Sequence, residues 1–274
     1  TGYGMWVWND NNTIGPSNYI HDLRMIVSTP SPPAEDYGAV GIQIYANSNR
    51  VTGNTFRRTR AVAYDFPFDG GVVELFNNGS VGGQTMNNNI IDHNWIEDTG
   101  GVVETTGPAT NAWIMHNVVI DDYGDFLEFH DAASETGFRV ENNSVKTQNA
   151  LTPAAFGQFI WCSGAGNTPG LTVKNNVVSL PSSGWFTHKN CAGITHDHNV
   201  WYKQGTARDG TYDWTAGTGE VWANPGWVGG SDLHLSSAGS PAYNAGTTPY
   251  YSTDFDGTTI PQFTTPDIGA YEFH

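Results

Sequence analysis

The sequence has few basic residues for its length of 274 residues. Eleven Lys and Arg stand against 27 Asp and Glu, which gives a formal net charge of −16 at pH 7. A field of this sign repels nucleic acids and anionic membrane surfaces, so we expect neither as a partner. It also repels a polyanionic substrate unless a bound cation intervenes. The charge balance therefore favours neutral ligands or a metal-assisted site.

The sequence also lacks an apolar run of the roughly 18 residues that a membrane-spanning helix needs, and it lacks a signal peptide. A chain that starts at Thr1 is expected to be a processed or trimmed form. The two cysteines, Cys162 and Cys191, fit either a disulfide or a pair of buried thiols, and the sequence does not decide between them. A hydrophobic content of 38% fills one large core, so we expect one domain and a monomer.

One short pattern occurs three times: Gly-Gly-Val-Val-Glu at 70–74 and at 100–104, and Gly-Asp-Phe-Leu-Glu at 124–128. Because side chains alternate along a strand, each glutamate lies on the face opposite to the apolar residue before it. The same register extends in both directions along the chain. The predicted inward column is Met5, Ile42, Val73, Val103, Leu127, Ile160 and Thr187. The predicted outward column is Trp6, Gln43, Glu74, Glu104, Glu128, Trp161 and His188.

A second repeat carries an asparagine between two apolar positions. It occurs six times, at Asn54, Asn94, Asn117, Asn143, Asn176 and Asn199, and Asn18 supplies a seventh copy in the first coil. Asparagine tolerates the left-handed backbone of a sharp turn, and its amide bonds to the amides of neighbouring coils. We therefore predict a structural ladder of stacked asparagines.

Short strands, frequent turn residues, no helical periodicity and a repeat of about 30 residues are typical of a parallel β-helix. A β-propeller, the alternative, has longer repeats of about 40 to 50 residues and antiparallel blades. The chain resembles the right-handed parallel β-helix proteins of the pectin-lyase-like superfamily. The resemblance covers the stacked motifs over 1–204. It also covers segments 224–225, 232–235, 239–246 and 267–273, which are similar to the closing segment of many secreted β-helix proteins.

These observations predict an all-β protein, a right-handed parallel β-helix of about seven coils at 1–204. An irregular C-terminal capping segment of the same domain follows at 205–274, because the open strand edge of the last coil must be covered. The resemblance implies a secreted, extracellular protein whose partner is a polysaccharide or oligosaccharide.

The outward column is where we expect the chemistry. Strands in neighbouring coils lie about 4.8 Å apart, so three stacked glutamates repel one another unless a cation is bound or one keeps its proton. Either outcome is typical of a working site. A solvated acidic ladder without a role is the alternative. The neighbouring aromatic residues Trp6, Trp161, Phe126, Phe159 and Phe186 favour a working site that stacks sugar rings.

The candidate catalytic residues are Glu74, Glu104, Glu128 and His130, with Glu104 as proton donor because it stands between two other carboxylates. Asp65 and Asp69, in the loop before the first glutamate, are further candidates for oxygen ligands. The candidate substrate contacts are Trp6, Gln43, Tyr45, Tyr64, Phe126, Trp161 and His188. If calcium is bound, the expected ligands are Asp69, Glu74, Glu104 and Asp125.

Three classes of function fit this pattern. The first is a glycoside hydrolase that uses two of the carboxylates and needs no cofactor. The second, which the resemblance implies for many relatives, is a calcium-dependent polysaccharide lyase that eliminates across a uronic-acid residue. The third is a non-catalytic glycan-binding protein. We favour the hydrolase because the outward column contains no Lys or Arg to hold a uronate.

Overall fold

The computed structural model describes residues 2–30, 35–64, 69–77, 84–120, 123–130, 135–147, 158–163, 170–187 and 191–274. Its described residues form three large sheets, in each of which every neighbouring pair of strands is parallel. Consecutive strands of one sheet come from consecutive coils of the chain, so the coils stack along one axis. This architecture is a parallel β-helix, and the seven strands of the first sheet confirm the predicted seven coils.

The first sheet carries the repeated glutamates and faces solvent on one side. Its strands are Tyr3–Val7, Val40–Ile44, Gly71–Phe76, Val103–Thr106, Leu127–Phe129, Gln158–Cys162 and Trp185–Thr187. The predicted inward column is confirmed, because Met5, Ile42, Val73, Val103, Leu127, Ile160 and Thr187 are paired in sequence across this sheet.

The second and third sheets complete each coil. The second contains Thr13–Ile14, Arg50–Thr52, Ile90–Asp92, Trp113–Met115, Arg139–Glu141, Leu171–Lys174 and Ile194–Asp197. The third contains Tyr19–His21, Thr55–Arg57, Trp95–Glu97, Val118–Ile120, Ser144–Lys146, Val177–Leu180, Val200–Lys203 and Val221–Trp222. Three small strand pairs join Met25–Thr29 with Glu35–Gly38, Ala109–Thr110 with Glu135–Thr136, and Trp227–Gly229 with Asp232–Leu235. One continuous core of buried apolar side chains fills the space between the three large sheets.

The predicted asparagine ladder is present at the corner between the second and third sheets. Each side-chain amide donates to the Oδ1 atom of the asparagine in the next coil, over distances of 2.9 to 3.2 Å from Asn18 through Asn199. Most of these amides also donate to a backbone carbonyl one coil back, as Asn117 does to Ile91 at 2.9 Å. The last amide, that of Asn199, donates to the Glu220 carboxylate at 2.6 Å.

One part of the asparagine prediction is wrong. The left-handed backbone of this corner belongs to the residue before each ladder asparagine, and not to the asparagine itself. These residues are Ser17, Gly53, His93, His116, Asn142, Asn175 and His198, with φ between 48° and 72°. The reason is geometric: the chain turns before the asparagine, so that the amide points along the stacking axis.

The segment after the last full coil has two parts. Trp214 and Trp222 pack against Trp201, whose ring lies in the core, and close the end of the helix. Residues 223–274 return along the outer face of the third sheet, where Leu233 and Ile268 cover apolar side chains such as Val118 and Val200. The segment therefore covers a side of the β-helix as well as its end.

The two cysteines, which the sequence left undecided, form a disulfide between Cys162 and Cys191. The bond links the end of the sixth strand of the first sheet to the chain that follows the seventh.

Candidate active site

The glutamate row exists as the repeat predicts. Glu104 is the direct cross-strand partner of both Glu74 and Glu128. The row continues to Gln43 on one side and to Trp161 on the other, and Gln43 is paired in turn with Trp6. With strands about 4.8 Å apart, three carboxylates occupy about 10 Å of this surface.

Glycines at the start of each copy allow the coils to approach. A Cβ atom on Gly124 would lie 1.5 Å from the carbonyl oxygen of Gly100, and one on Gly100 would lie 2.6 Å from that of Gly70. No side chain fits there, so the glycines of the repeat are a steric requirement of the stacking. They also leave a narrow pocket beside the row, lined by Glu74, Glu104 and Glu128. About 20 Å³ of it is open to the centre of a water molecule, which is room for about one water.

Glu74 is the most enclosed carboxyl of the row, with 8% of its surface exposed. The Gln43 side-chain amide donates to Glu74 Oε2 at 2.5 Å, and the Tyr45 hydroxyl donates to Gln43 Oε1 at 2.6 Å. Burial, and then the nearby charge of Glu104, raise the pKa of Glu74 well above its usual range, although the Gln43 hydrogen bond opposes the shift. Glu74 is therefore the carboxyl best suited to keep its proton near neutral pH.

His130 lies between the other two glutamates. Its Nε2 atom is 3.1 Å from Glu104 Oε1 and 3.0 Å from Glu128 Oε1. Burial alone lowers the pKa of His130, but the hydrogen bonds to both carboxylates raise it to about 11. Burial raises the pKa of Glu128 even though His130 donates to it. At neutral pH the histidine is a cation that offsets part of the charge of the glutamate pair.

The surroundings of Glu74 and Glu104 differ in a way that bears on the predicted proton donor. The sequence argument selected Glu104 because it stands in the middle of the row. Burial differs along the row, however, and it is Glu74 that lies deepest, beside Gln43 and Tyr45. Glu104 instead faces the imidazolium of His130.

The expected calcium ligands do not assemble into one group among the described residues. Asp69 Oδ1 accepts a hydrogen bond from the backbone N–H of Gly70 at 2.6 Å. Asp125 Oδ1 accepts one from the backbone N–H of Gln158 at 2.7 Å. The group whose ligand atoms lie within 4.8 Å of one another is Glu104, Glu128 and His130. An imidazole nitrogen is a poor calcium ligand, so this donor set does not fit calcium.

The prediction that Phe126 contacts substrate is wrong. Phe126, Phe159 and Phe186 are buried in the core, with at most 2% of each exposed. Strand alternation assigns Phe126 to the outer face only if it belongs to the strand. The strand begins one residue later, at Leu127, and the Phe126 ring packs in the core on that of Phe159, with the ring centroids 4.8 Å apart.

The other candidate contacts differ in exposure. Trp6 is 56% exposed, and Trp161, which is partly buried, lies with its ring centroid 5.3 Å from that of His130. Gln43 and Tyr45 are buried and support Glu74, and Tyr64 is exposed. Asp65 and His188 lie outside the described residues. The roles of all of these residues remain predictions.

An aromatic cluster on the first three coils was not predicted from the sequence. Trp8 stacks on Tyr45 with ring centroids 4.1 Å apart and planes 6° from parallel. Tyr3 contacts Trp6 at 5.4 Å, and Phe76 contacts Tyr45 at 5.8 Å. The signal was the two-residue spacing of Trp6 and Trp8 at the end of the first strand and just beyond it, and both side chains are exposed.

No family model matches the sequence, and no curated protein matches it. Among solved structures, the chain is similar to pectate lyase Pel9A, with a TM-score of 0.56 and 13% sequence identity. The match covers 99% of this chain and 73% of that one. Together with the three all-parallel sheets, this likeness shows that the protein has the right-handed parallel β-helix fold.

Proposed function

We propose that the protein is a polysaccharide-degrading enzyme and that it acts as a glycoside hydrolase at the glutamate row. The observation that carries the proposal is the contrast within the row. Glu74, buried and with a raised pKa, takes its hydrogen bond from the neutral amide of Gln43, whereas Glu104 and Glu128 share a cationic histidine, although burial raises the pKa of Glu128 as well. Glycoside hydrolysis needs one protonated and one ionised carboxyl on the two sides of the scissile bond.

In this mechanism Glu74 donates its proton to the glycosidic oxygen as the bond to the leaving sugar breaks. A second glutamate then acts from the same surface. If it is Glu104, one coil away, the separation of about 5 Å suits a nucleophile and retention of configuration. If it is Glu128, two coils away, the separation of about 9.6 Å suits a base that activates water, with inversion. The one-water pocket beside all three carboxylates is compatible with the second route.

A lyase acting on a uronic-acid polymer needs positive charge for the sugar carboxylate and a base for the C5 proton. Among the described residues that line the pocket beside the row, none is Lys or Arg. The histidine at the row is already protonated at neutral pH, because the two glutamates raise its pKa to about 11, so it is not available as a base. Both features favour hydrolysis.

A cation-assisted lyase is the second candidate. It is favoured by the Glu104, Glu128 and His130 group, whose ligand atoms are close enough to share one metal ion. The fold is also that of a protein named as a pectate lyase. Because the group contains an imidazole, an ion of the zinc or manganese kind suits it better than calcium.

The experiment that separates the candidates follows two products at once. The protein is incubated with neutral polysaccharides and with uronic-acid polysaccharides, with and without EDTA. We expect new reducing ends without unsaturated product, and no effect of EDTA. Unsaturated product absorbing in the ultraviolet, lost on chelation, would instead establish the lyase.

The disulfide is consistent with an oxidising compartment, and we propose that the protein acts outside the cell. Among the described residues, no helix is long and apolar enough to cross a membrane. We further propose that it acts as a monomer. Size-exclusion chromatography with light scattering tests this.

A further inference from the structure

A second pocket lies on the first three coils, next to the site but separate from the glutamates. Its volume is about 330 Å³, which falls within the range of small-ligand pockets. We call this pocket the Trp8 pocket. Its lining includes Trp8, Tyr45, Asp10, Asn47, Gln84 and Thr85. It contains none of the three glutamates, and it lies beside Gln43, which is one coil from Glu74.

One wall is aromatic and rigid. Trp8 is 43% exposed, and its ring is held in place by the parallel stack on the buried ring of Tyr45. Stacking fixes one face of the indole and leaves the remainder of the side chain available to a ligand. An aromatic face of this kind packs against the apolar face of a sugar ring, while the rim stays wet.

The opposite walls are polar and mostly fixed by hydrogen bonds. The Asn47 amide N–H donates to Asp10 Oδ1 at 2.7 Å, and the Thr85 hydroxyl donates to Asn47 Oδ1 at 2.9 Å. The Gln84 side-chain oxygen, in contrast, is enclosed and has no hydrogen-bond partner among the described residues. Because this oxygen is closed to solvent it offers no contact to a ligand, and Asp10 is the acceptor that this wall presents.

The charge of the pocket restricts the ligand. Asp10 is the only ionisable acid among the described lining residues, and none of them is Lys or Arg. A uronate carboxylate would meet a like charge here, whereas the hydroxyl groups of an uncharged sugar can donate to Asp10.

The pocket is also connected to the proposed acid. Tyr45, which forms its aromatic wall, donates to Gln43, and Gln43 donates to Glu74. A ligand that contacts Trp8 and Tyr45 is therefore linked through the Gln43 side chain, by two hydrogen bonds, to the Glu74 carboxyl.

From these contacts we propose that the Trp8 pocket is a binding subsite for an uncharged sugar residue of the glycan that the glutamate row cleaves. The inference rests on the proposed function for the identity of the glycan, but the binding itself does not depend on turnover. It implies that the enzyme selects neutral polysaccharides over uronic-acid polymers.

The test measures binding without catalysis, on the full chain carrying Glu74→Gln. Isothermal titration calorimetry is performed with neutral hexasaccharides of xylose, glucose and mannose, and with hexagalacturonate. We expect at least one neutral hexasaccharide to bind more tightly than hexagalacturonate. Adding Trp8→Ala should weaken that binding by tenfold or more. The matched control is Tyr19→Ala, an equally exposed aromatic residue on the third sheet of the same coil, and it should leave the affinity unchanged.

Several outcomes overturn the inference. They are tighter binding of hexagalacturonate, no binding of any neutral hexasaccharide, or an equal loss of affinity in the Tyr19→Ala control. Failure of the proposed function looks different. If Glu74→Gln still cleaves a polysaccharide while Trp8→Ala abolishes binding, the subsite stands and the assignment of the acid falls.

Discussion

The asparagine ladder and the glutamate row are two stacks of like side chains at the same coil spacing, and they differ in one chemical property. An amide carries both a donor and an acceptor, so each asparagine satisfies the next, as Asn117 does when it donates to Asn143 at 3.1 Å and accepts from Asn94 at 3.0 Å. An ionised carboxylate only accepts. Ionised glutamates cannot bond to one another, and in the row each glutamate takes a partner from elsewhere, Glu74 from Gln43 and the other two from His130.

The difference separates a structural stack from a functional one. The ladder is buried, satisfied and continuous over seven coils, so it contributes stability and nothing reactive. The row keeps like charges close together and shifts the pKa of Glu74 and of His130 upward. Holding Glu74 in this environment costs stability at neutral pH, while the pairing of His130 offsets part of the cost, and shifted groups of this kind are typical of an active site.

The largest expected effect is on turnover. Glu74→Gln keeps the shape of the side chain and removes its proton, so we expect the rate on a cleaved polysaccharide to fall by at least about 100-fold. Initial rates of reducing-end release measure this. Glu97→Gln, the same change at a glutamate of the third sheet that pairs with Arg57, serves as the control. Equal rates for the wild type and Glu74→Gln would remove Glu74 from the chemistry.

The ladder should respond in stability and not in chemistry. Asn117→Ala removes hydrogen bonds to Asn94, Asn143 and the Ile91 carbonyl, and leaves buried polar groups without partners. We expect the free energy of unfolding to fall by about 1 to 3 kcal/mol. Urea denaturation measures it, and the folded variant should keep its turnover rate. Unchanged stability would mean that the stack contributes nothing.

The contribution of the glutamate row to stability, unlike that of the asparagine ladder, should depend on pH. The folded-state pKa of Glu74 lies above its usual 4.5, so its contribution to stability is complete below about pH 4.5 and declines as the pH rises through the folded value. The decline is at most about 1.4 kcal/mol per pH unit. Glu74→Gln lacks it and should become more stable than the wild type as the pH rises.

Thermal unfolding of the wild type and Glu74→Gln between pH 4 and pH 9 follows this difference. His130 and Glu128 remain in both proteins, so their titration largely cancels in the comparison. A wild type that is the more stable protein at pH 8 would contradict the account of the row.

The smallest effect is expected at the end of the ladder. Asn18 donates to Asn54 at 2.9 Å, but no ladder asparagine precedes it and its side chain is partly exposed. Water can replace its bonds, so we expect Asn18→Ala to cost less than about 1 kcal/mol. Denaturation of Asn18→Ala beside Asn117→Ala tests whether the ladder is strongest inside, and equal losses would show that burial does not matter.

Much of the fold could be predicted from the sequence because each repeat fixes its own register. The sequence spacing of the repeat, from Glu74 to Glu104 and on to Glu128, predicted the cross-strand partners. A one-residue slip in the pairing would turn the apolar neighbours outward. The asparagine ladder was predictable for the same reason.

The rest depended on three-dimensional features that a repeat does not encode. Phe126 is buried because its ring stacks in the core on that of Phe159 in the next coil. Glu74 differs from Glu104 because Gln43 and Tyr45 enclose it from the coil before. The side cover formed by residues 223–274 follows from apolar side chains on the outer face of the third sheet, such as Val118 and Val200.

The most direct test of the central claim is a titration of Glu74 by nuclear magnetic resonance, with the carboxyl carbon of glutamate labelled and the signal assigned by its loss in Glu74→Gln. The account predicts a titration midpoint well above 4.5 in the wild type, and a lower midpoint in Glu104→Gln, where the neighbouring charge is gone. A midpoint near 4.5 that Glu104→Gln leaves unchanged would contradict it.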